Sequence, residues 1–228
     1  MEFAEWEPVY EAILAEFGYG RDGDERARDA LGAAYSGTPP DPPGGGTVAV
    51  AGAGPSLPAE LDRAAAADRV YAASTAATTL RDHGVGVDAM VTDLDKNPGT
   101  AVALTRRGTP VAVHAHGDNV AAVEEHVPAM DHDCVVPTTQ AAPHPPVRNF
   151  GGFTDGDRAA FLADHAGADA LVFPGWDFED PSVGAEKRRK LRWAARLLRW
   201  LELRRDERFA VLEGRREGLL DALPIDEK

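Results

Sequence analysis

The feature that most constrains the fold is an alternation of short apolar runs with helical patterns after residue 46. The apolar runs predict strands at 47–51, 69–73, 88–91, 110–114, 133–136 and 170–173. Helices are predicted at 58–67, 75–82, 100–107, 119–126, 156–167 and 186–203. Strands that alternate with helices favour a mostly parallel sheet covered on both faces. The sequence therefore predicts a three-layer α/β domain.

A helical segment precedes this alternating region. Apolar side chains recur at helical spacing over 3–17, and a second helix is predicted over 22–35. The stretch 37–46, Gly-Thr-Pro-Pro-Asp-Pro-Pro-Gly-Gly-Gly, cannot hold a helix or a central strand. We therefore predict a small helical segment at 1–36, a linker at 37–46 and a Rossmann-like domain at 47–228.

The charge of the chain restricts its partners. Acidic residues outnumber Lys and Arg by 38 to 24, which gives a formal net charge of −14. Such a surface repels nucleic-acid backbones, so no nucleic-acid partner is expected. The acidic excess and the scarcity of Lys suggest a protein from a halophile, because high salt screens a large net charge. An ordinary acidic protein from a GC-rich genome is the alternative.

The sequence predicts neither a membrane segment nor a secretory signal. No apolar run reaches the roughly 18 residues of a transmembrane helix, and the first residues are acidic. A cytoplasmic location is therefore expected, and a homo-oligomer stays open. The single cysteine, Cys134, cannot form an internal disulfide and is expected to be a small core residue of a strand.

Polar residues concentrate just after the predicted strands. They lie in five segments, at 52–56, 74–75, 92–95, 114–119 and 174–177. Ligands of parallel sheets bind beyond the carboxyl ends of the strands. The opposite strand ends are not as rich in polar residues, so we expect a binding site at the carboxyl edge of the sheet.

Two aspartates follow the third predicted strand. In an extended backbone, Asp93 and Asp95 would point their carboxylates to the same side. Converging carboxylates repel each other unless a cation lies between them, and Mg²⁺ takes oxygen ligands together with water or phosphate. The segment therefore predicts a Mg²⁺ site, with a solvated acidic loop as the alternative.

The segment His-Ala-His-Gly-Asp-Asn at 114–119 follows the fourth predicted strand. His114 and His116 would share one strand face, as in a zinc or iron pair, but no further His or Cys lies nearby at ligand spacing. We favour Asp118 as a further Mg²⁺ ligand, with His116 and Asn119 as donors to phosphate or substrate. For His114, a hydrogen-bonded strand histidine is an equal alternative.

The turn after the first strand is a candidate for phosphate binding. Gly52 and Gly54 would let the backbone approach a phosphate, and Ser56 could cap the following helix and donate to a phosphate oxygen. The third glycine of the dinucleotide fingerprint and the Lys of the P-loop are missing, so a tight structural turn is an equal alternative. Ser74 and Thr75, after the second strand, are further phosphate-binding candidates.

A second glycine-containing segment, at 150–158, leads into a predicted helix. Thr154 or Asp155 can cap that helix, and Arg158 in its first turn can bind a phosphate through its guanidinium. A cap needs only one of these residues, so the additional Asp157 and Arg158 favour a functional role.

Basic residues concentrate at 187–190, in a chain with few lysines. Lys187 and Lys190 lie three residues apart on one face of the last predicted helix. They are candidates for neutralising a polyphosphate, as phosphoryl transfer requires, or they belong to a solvated helix face.

Five motifs, in this order, resemble the archaeal 6-hydroxymethyl-7,8-dihydropterin pyrophosphokinases. They are Gly-Ala-Gly-Pro-Ser-Leu at 52–57, Val-Thr-Asp-Leu-Asp at 91–95, His-Ala-His-Gly-Asp-Asn at 114–119, Gly-Phe-Thr-Asp-Gly-Asp-Arg-Ala at 152–159 and Gly-Trp-Asp-Phe at 175–178. The resemblance implies a fold related to the catalytic domain of thiamine pyrophosphokinases. It also implies transfer of diphosphate from ATP to the hydroxymethyl group of a reduced pterin, with release of AMP, on the route to tetrahydromethanopterin or folate-type cofactors.

The resemblance also implies roles for individual residues. Asp93, Asp95 and Asp118 would hold Mg²⁺ on the ATP phosphates, and Lys96 departs from the glycine that often follows this aspartate pair in the family. The remaining catalytic candidates would complete the metal site, orient the pterin hydroxyl or steady the transferring phosphates: Asp155, Asp157, Lys187 and Lys190. Candidates for the pterin slot, by location, are Phe153, Trp176, Asp177 and Phe178.

Other functions remain open at this point. A diphosphokinase of the same fold that acts on thiamine would carry a similar set of residues. A metal-dependent phosphohydrolase would use the two histidines with the aspartates, and a nucleotide-binding module would catalyse nothing. The resemblance favours the pterin reaction over these alternatives.

Overall fold

Within the described part of the chain, six strands form a single parallel sheet. The computed structural model describes residues 1–225, so the last three residues of the predicted 47–228 domain lie outside the described residues. The strands are β1 (Thr47–Ala51), β2 (Arg69–Ala73), β3 (Ala89–Thr92), β4 (Val111–Ala115), β5 (Val135–Thr139) and β6 (Ala170–Val172). Their order is β5-β4-β3-β2-β1-β6, with helices on both faces. The predicted α/β fold is confirmed.

Eight α-helices accompany these strands within residues 1–225. They are α1 (Phe3–Phe17), α2 (Arg21–Ala34), α3 (Leu61–Ala65), α4 (Ala76–Asp82), α5 (Pro98–Thr105), α6 (Val120–His126), α7 (Asp155–His165) and α8 (Ala185–Arg205). None of the helices in this range has the length and apolar character needed to cross a membrane.

Two elements differ from the sequence prediction. The helix predicted at 58–67 is divided into a 3-10 turn at Leu57–Ala59 and the five-residue α3, because Glu60 between them has non-helical backbone angles. Cys134 is not a buried strand residue. It lies half-buried in a 3-10 turn, His132–Cys134, just before β5, where partial burial raises the pKa of its thiol.

The first compact unit comprises residues 1–42 and 89–151, with the described residues 224–225. Its strands β3, β4 and β5 pair in parallel, and Ala112 of β4 lies opposite Val91 and Val136. Helix α2 packs against β4, β5 and α6. Helix α1 buries one face, through Trp6, Val9, Tyr10, Ile13 and Leu14. The N-terminal helices therefore belong to the core that supports the carboxyl ends of β4 and β5.

The second unit comprises residues 43–88 and 152–223. Its central strand, β1, pairs in parallel with β2 and β6, so that Ala49 lies opposite Val70 and Val172. Helix α7 packs on β1, β2 and α8. Because β1 is followed in the chain by β2 on one side and is joined much later by β6 on the other, a topological switch point lies between β1 and β6.

A buried glutamate joins the end of α8 to the segment after it. Glu202 is 1% exposed and accepts hydrogen bonds from Arg199 (2.9 Å), from Arg216 (2.7 Å) and from the Phe209 amide (2.6 Å). Burial acts to raise the pKa of Glu202, but the two guanidinium groups and the amide outweigh it and hold the pKa below its ordinary value. The ionised carboxylate therefore stabilises the folded state.

Replacing this charge should destabilise the protein in a pH-dependent way. We expect Glu202→Gln to lower the free energy of unfolding by about 3 kcal/mol at neutral pH, because two partly buried guanidinium groups lose their buried anionic partner. Because the pKa of Glu202 is lower in the folded state, its carboxylate stabilises the fold at pH values above the unfolded-state pKa, about 4.3. This stabilisation is lost as the pH falls through the folded-state pKa. Urea unfolding at a series of pH values should show the difference from wild type shrinking below about pH 4.

The control is Glu179→Gln. Glu179 pairs with Arg215 at 3.0 Å, but its side chain is 83% exposed, so its removal should change the stability little at any pH. Equal losses for the two variants would contradict a special role for the buried network.

Candidate active site

The two aspartates after β3 lie in a tight turn. The strand ends at Thr92, whose hydroxyl oxygen accepts the Leu94 amide at 3.0 Å, and Asp93 Oδ1 accepts the Asp95 amide at 3.2 Å. Leu94 is buried and has a φ of 68°, in the left-handed region that residues other than glycine rarely adopt. The prediction of an extended backbone is therefore wrong here, and the turn, rather than strand alternation, places the two carboxylates.

The turn holds the two carboxylates close together. The carboxyl group of Asp95 is within hydrogen-bonding reach of that of Asp93, and partial burial together with this neighbour raises the pKa of Asp95. Asp93 Oδ2 also lies 3.4 Å from His116 Nε2. Two acids held this close together favour a bound cation or a protonated ring beside them.

This pair suits a magnesium ion better than a transition metal. Within residues 1–225, no three or more His, Cys, Asp or Glu side chains are arranged to hold a metal ion, so Asp93, Asp95 and Asp118 do not form a preassembled triple. Mg²⁺ is usually bound by one or two carboxylates, with water and phosphate completing its coordination. Asp93 and Asp95 fit that requirement, whereas Asp118 is exposed on the loop after β4.

Asn119 has a structural role that sequence reasoning missed. Its buried side chain donates to the carbonyl oxygens of Asp93 (2.9 Å) and His114 (2.7 Å) and accepts the His116 amide at 3.0 Å. Both of its amide hydrogens and its oxygen are therefore engaged. The expected role of Asn119 as a donor to phosphate does not agree with this geometry, and the residue instead fixes His116 beside Asp93.

His114 lies inside the strand layer. It is 2% exposed, and its Nδ1 lies 3.1 Å from the hydroxyl of Thr138 on β5. That hydroxyl also lies 3.1 Å from the Val113 carbonyl oxygen, to which it donates. The ring nitrogen of His114 can then donate to the hydroxyl oxygen, as expected for a hydrogen-bonded strand histidine.

In the second unit, the glycine turn after β1 packs directly on the segment after β6. The Gly52 amide donates to the Pro174 carbonyl oxygen at 2.9 Å, and the Gly54 amide donates to that of Gly175 at 3.0 Å. The Ser56 amide donates to the Asp177 carboxylate at 2.9 Å. These three amide groups are therefore engaged within the protein, which favours the tight-turn alternative over phosphate binding by the backbone.

The same packing fixes the aromatic residues after β6. Trp176 donates its indole N–H to the Val50 carbonyl oxygen at 2.8 Å, and its ring touches Phe173 and Phe178. A side chain at Gly156 would collide with the Trp176 ring. Asp177 is engaged by Ser56 and Phe153 is buried, so among the predicted pterin contacts only Trp176 and Phe178 are both aromatic and partly exposed.

Two other residues predicted to bind phosphate, Ser74 and Thr75, lie between β2 and α4. Ser74 is buried with φ 50, a second strained position at a strand end, and Thr75 directly precedes the helix. Such strain persists only where the surrounding structure holds it, and it is frequent at functional sites.

The first turn of α7 contains a buried residue with a structural role and a partly exposed residue that a ligand can reach. Asp157 is completely buried and accepts the amides of Phe153 and Thr154 and the Thr154 hydroxyl. Burial raises the pKa of Asp157 despite these bonds. Asp157 therefore caps the helix, which does not agree with its expected catalytic role. Arg158 lies 3.4 Å from Asp155 with a nearly buried side chain, whereas Asp155 is partly exposed.

The lysine cluster lies at the start of α8. Lys187 is exposed, and Lys190 pairs with Glu186 at 3.1 Å across one helical turn. A pair of this kind contributes little to stability, so Lys190 can exchange its partner for a ligand at small cost.

Comparison with known proteins places this chain. Residues 38–182 match the model of the 6-hydroxymethylpterin diphosphokinase MptE-like family. The chain belongs to this family. It is 38% identical to a 6-hydroxymethyl-7,8-dihydropterin pyrophosphokinase of Methanothermobacter thermautotrophicus, over 92% of the chain and 99% of that relative. Proteins of the same name from Pyrococcus furiosus and Methanocaldococcus jannaschii are 36% and 31% identical, over 89% of the chain and 95% and 96% of each relative. The predicted family resemblance is confirmed.

The role of the glycine turn in this family member can be tested through its stability. A side chain at Gly54 would collide with Asp177 and lie 2.7 Å from the Gly175 carbonyl oxygen. We therefore expect Gly54→Ala to cost about 2 kcal/mol of the free energy of unfolding, measured by urea denaturation.

Gly99→Ala is the matched control. No atom lies within 4 Å of a side chain at Gly99, in α5, so this change should be neutral or stabilising by about 0.5 kcal/mol. If Gly54→Ala kept full stability and lost only nucleotide affinity, the turn would serve phosphate binding instead.

Proposed function

We propose that this protein transfers diphosphate from ATP to the hydroxymethyl group of 6-hydroxymethyl-7,8-dihydropterin in the presence of Mg²⁺. Family membership supports the reaction class, because three relatives named 6-hydroxymethyl-7,8-dihydropterin pyrophosphokinase align with this chain over nearly their whole length. The observation that carries the proposal in this chain is the close pair of Asp93 and Asp95 at the end of β3.

The reaction determines what the residues must do. The pterin hydroxyl oxygen attacks the β-phosphorus of ATP, the bond from that phosphorus to the oxygen bridging the α- and β-phosphates breaks, and AMP leaves. The hydroxyl proton passes to solvent or to a carboxylate. Such transfers depend mainly on positioning and charge neutralisation. A bound Mg²⁺ would neutralise phosphate charge.

In the first unit, Asp93 and Asp95 would hold Mg²⁺. Asp118 is exposed on the neighbouring loop, where it can accept from waters around the metal or receive the hydroxyl proton. His116 Nε2 lies 3.4 Å from Asp93, so a protonated ring would orient that carboxylate and donate to a phosphate oxygen when the carboxylate binds metal.

The second unit supplies its own candidate groups. Ser56, Thr75 and Arg158 can donate to phosphate oxygens, and Asp155 can orient the acceptor hydroxyl. Lys187 and Lys190 can neutralise phosphate charge. Trp176 and Phe178 are the candidates for stacking on the flat pterin ring. Hydrogen bonds within the protein already engage the amides of Gly52 and Gly54, the side chains of Asn119 and Asp157 and one carboxylate oxygen of Asp177.

The reaction is tested directly with purified protein, ATP and Mg²⁺. We expect AMP to form in equal amount with the diphosphorylated pterin, and no AMP to form with thiamine as acceptor. The assay should be run in low and high salt, because the net charge of −14 suggests a requirement for screening. Transfer to thiamine, or release of phosphate without any acceptor, would instead support the thiamine-type kinase or the phosphohydrolase.

The metal-binding role of Asp93 has its own test. We expect Asp93→Asn to lower kcat/KM by about 100-fold and to raise the Mg²⁺ concentration needed for half-maximal rate, because one anionic oxygen ligand is lost. The control is Asp82→Asn, an exposed acid at the end of α4, which should behave as wild type. Full activity of the folded Asp93→Asn protein would exclude this metal site.

A further inference from the structure

A carboxylate of the N-terminal helices is buried beside the loop that follows β4. Asp24, in the first turns of α2, is 4% exposed. Its Oδ2 accepts the hydroxyl of Tyr10 at 2.7 Å and the side-chain amide of Gln140 at 2.8 Å, and its Oδ1 accepts the backbone amide of Gly117 at 2.8 Å. One side chain thus connects α1, α2, the loop after β4 and the segment after β5.

Burying this carboxylate is unfavourable unless hydrogen bonds compensate for the lost water. Removing a carboxylate from water is unfavourable, and hydrogen bonds offset that cost only when their geometry is good. The partners are themselves buried: Tyr10 is 1% exposed and Gln140 is 4% exposed. The Gln140 carbonyl oxygen in turn accepts the indole N–H of Trp6 at 2.9 Å. The network is therefore fixed on the α1 and β5 sides, and Gly117 is the partner that it can hold in place.

The backbones of α2 and this loop also touch. A side chain at Gly23 would lie 3.2 Å from Gly117 Cα, and a side chain at Gly117 would lie 3.5 Å from Gly23 Cα. The two glycines therefore permit the approach that lets Asp24 reach the Gly117 amide. A side chain at Gly23 would require a shift of a few tenths of an ångström, whereas one at Gly117 would be in ordinary van der Waals contact.

The held loop carries two residues of the proposed site. Next to Gly117, the His116 amide is bound by the Asn119 side chain, so two consecutive amides are held by side-chain oxygens from different elements. His116 then lies beside Asp93, and Asp118 faces solvent. A displacement of Gly117 moves both neighbours, because they flank it directly in the chain.

We propose that Asp24 is a positioning residue, which fixes the loop 116–119 so that His116 and Asp118 are placed for the nucleotide phosphates. This inference rests on the function proposed above. It gives the N-terminal helices a part in activity, although they lie outside residues 38–182, which match the family model.

Three variants separate positioning from general stability. Asp24→Ala removes all three hydrogen bonds, including the one to Gly117. Asp24→Asn keeps an oxygen that can accept the Gly117 amide. Tyr10→Phe removes one donor at the other carboxylate oxygen and leaves the Gly117 bond in place. For each protein, the melting temperature, kcat and the KM values for MgATP and the pterin are measured. Hydrogen–deuterium exchange of the 114–119 amides is measured separately.

Positioning predicts a specific pattern. Asp24→Ala should raise the KM for MgATP about tenfold, leave the KM for the pterin within about twofold and speed up exchange at 114–119. Tyr10→Phe should lower the melting temperature but keep both KM values and the slow exchange. Asp24→Asn should recover most of the MgATP affinity.

A purely structural role predicts a different pattern. If Asp24 only stabilises the fold, each variant should lose kcat in proportion to its loss of melting temperature, because less protein is folded. Both KM values should stay unchanged. That pattern, or unchanged exchange at 114–119 in Asp24→Ala, would overturn the inference. If wild type forms no AMP from ATP and the pterin, the proposed function fails. The exchange measurement then still decides whether Asp24 holds the loop.

Discussion

The local order of the acidic site depends on one buried amide side chain. Asn119 joins the carbonyl oxygens of Asp93 and His114 and also binds the His116 amide. Polar backbone groups at buried strand ends need partners, and a primary amide with two donors and an acceptor can supply three at once. With β3 and β4 tied in this way, the strained turn at Leu94 and the loop at 116–119 hold a fixed relation, which keeps His116 beside Asp93.

A different constraint shapes the second unit. At the switch point between β1 and β6, the glycine turn uses its amides to bind the segment after β6, so that the two backbones pack in contact. In related α/β folds such a turn often binds phosphate. Here the glycines permit close packing, which in turn holds Trp176 against Val50 and the start of α7.

The family assignment and the local chemistry support the function in different ways. The relatives' names define the reaction class. The geometry contributes the carboxylate pair, whose mutual repulsion a divalent cation would relieve. The large negative charge is compatible with a protein that functions in high salt, and a halophilic origin stays a prediction. Net charge affects solubility and screening rather than the type of reaction.

The sequence by itself determined the fold class and the position of the polar segments. Apolar periodicity is a local property, and strands such as β1 and β2 were predicted with their observed bounds for that reason. Motif order was also enough to identify the family. Only the tertiary structure decided which polar groups remain available for ligands. The sequence could not show that Asp157 caps α7, that Asp177 binds Ser56 or that Asn119 joins two strands. The role of Asp24 was hidden for the same reason: its partner Gly117 lies 93 positions along the chain, and hydrogen bonds between such distant residues form only when the whole domain folds.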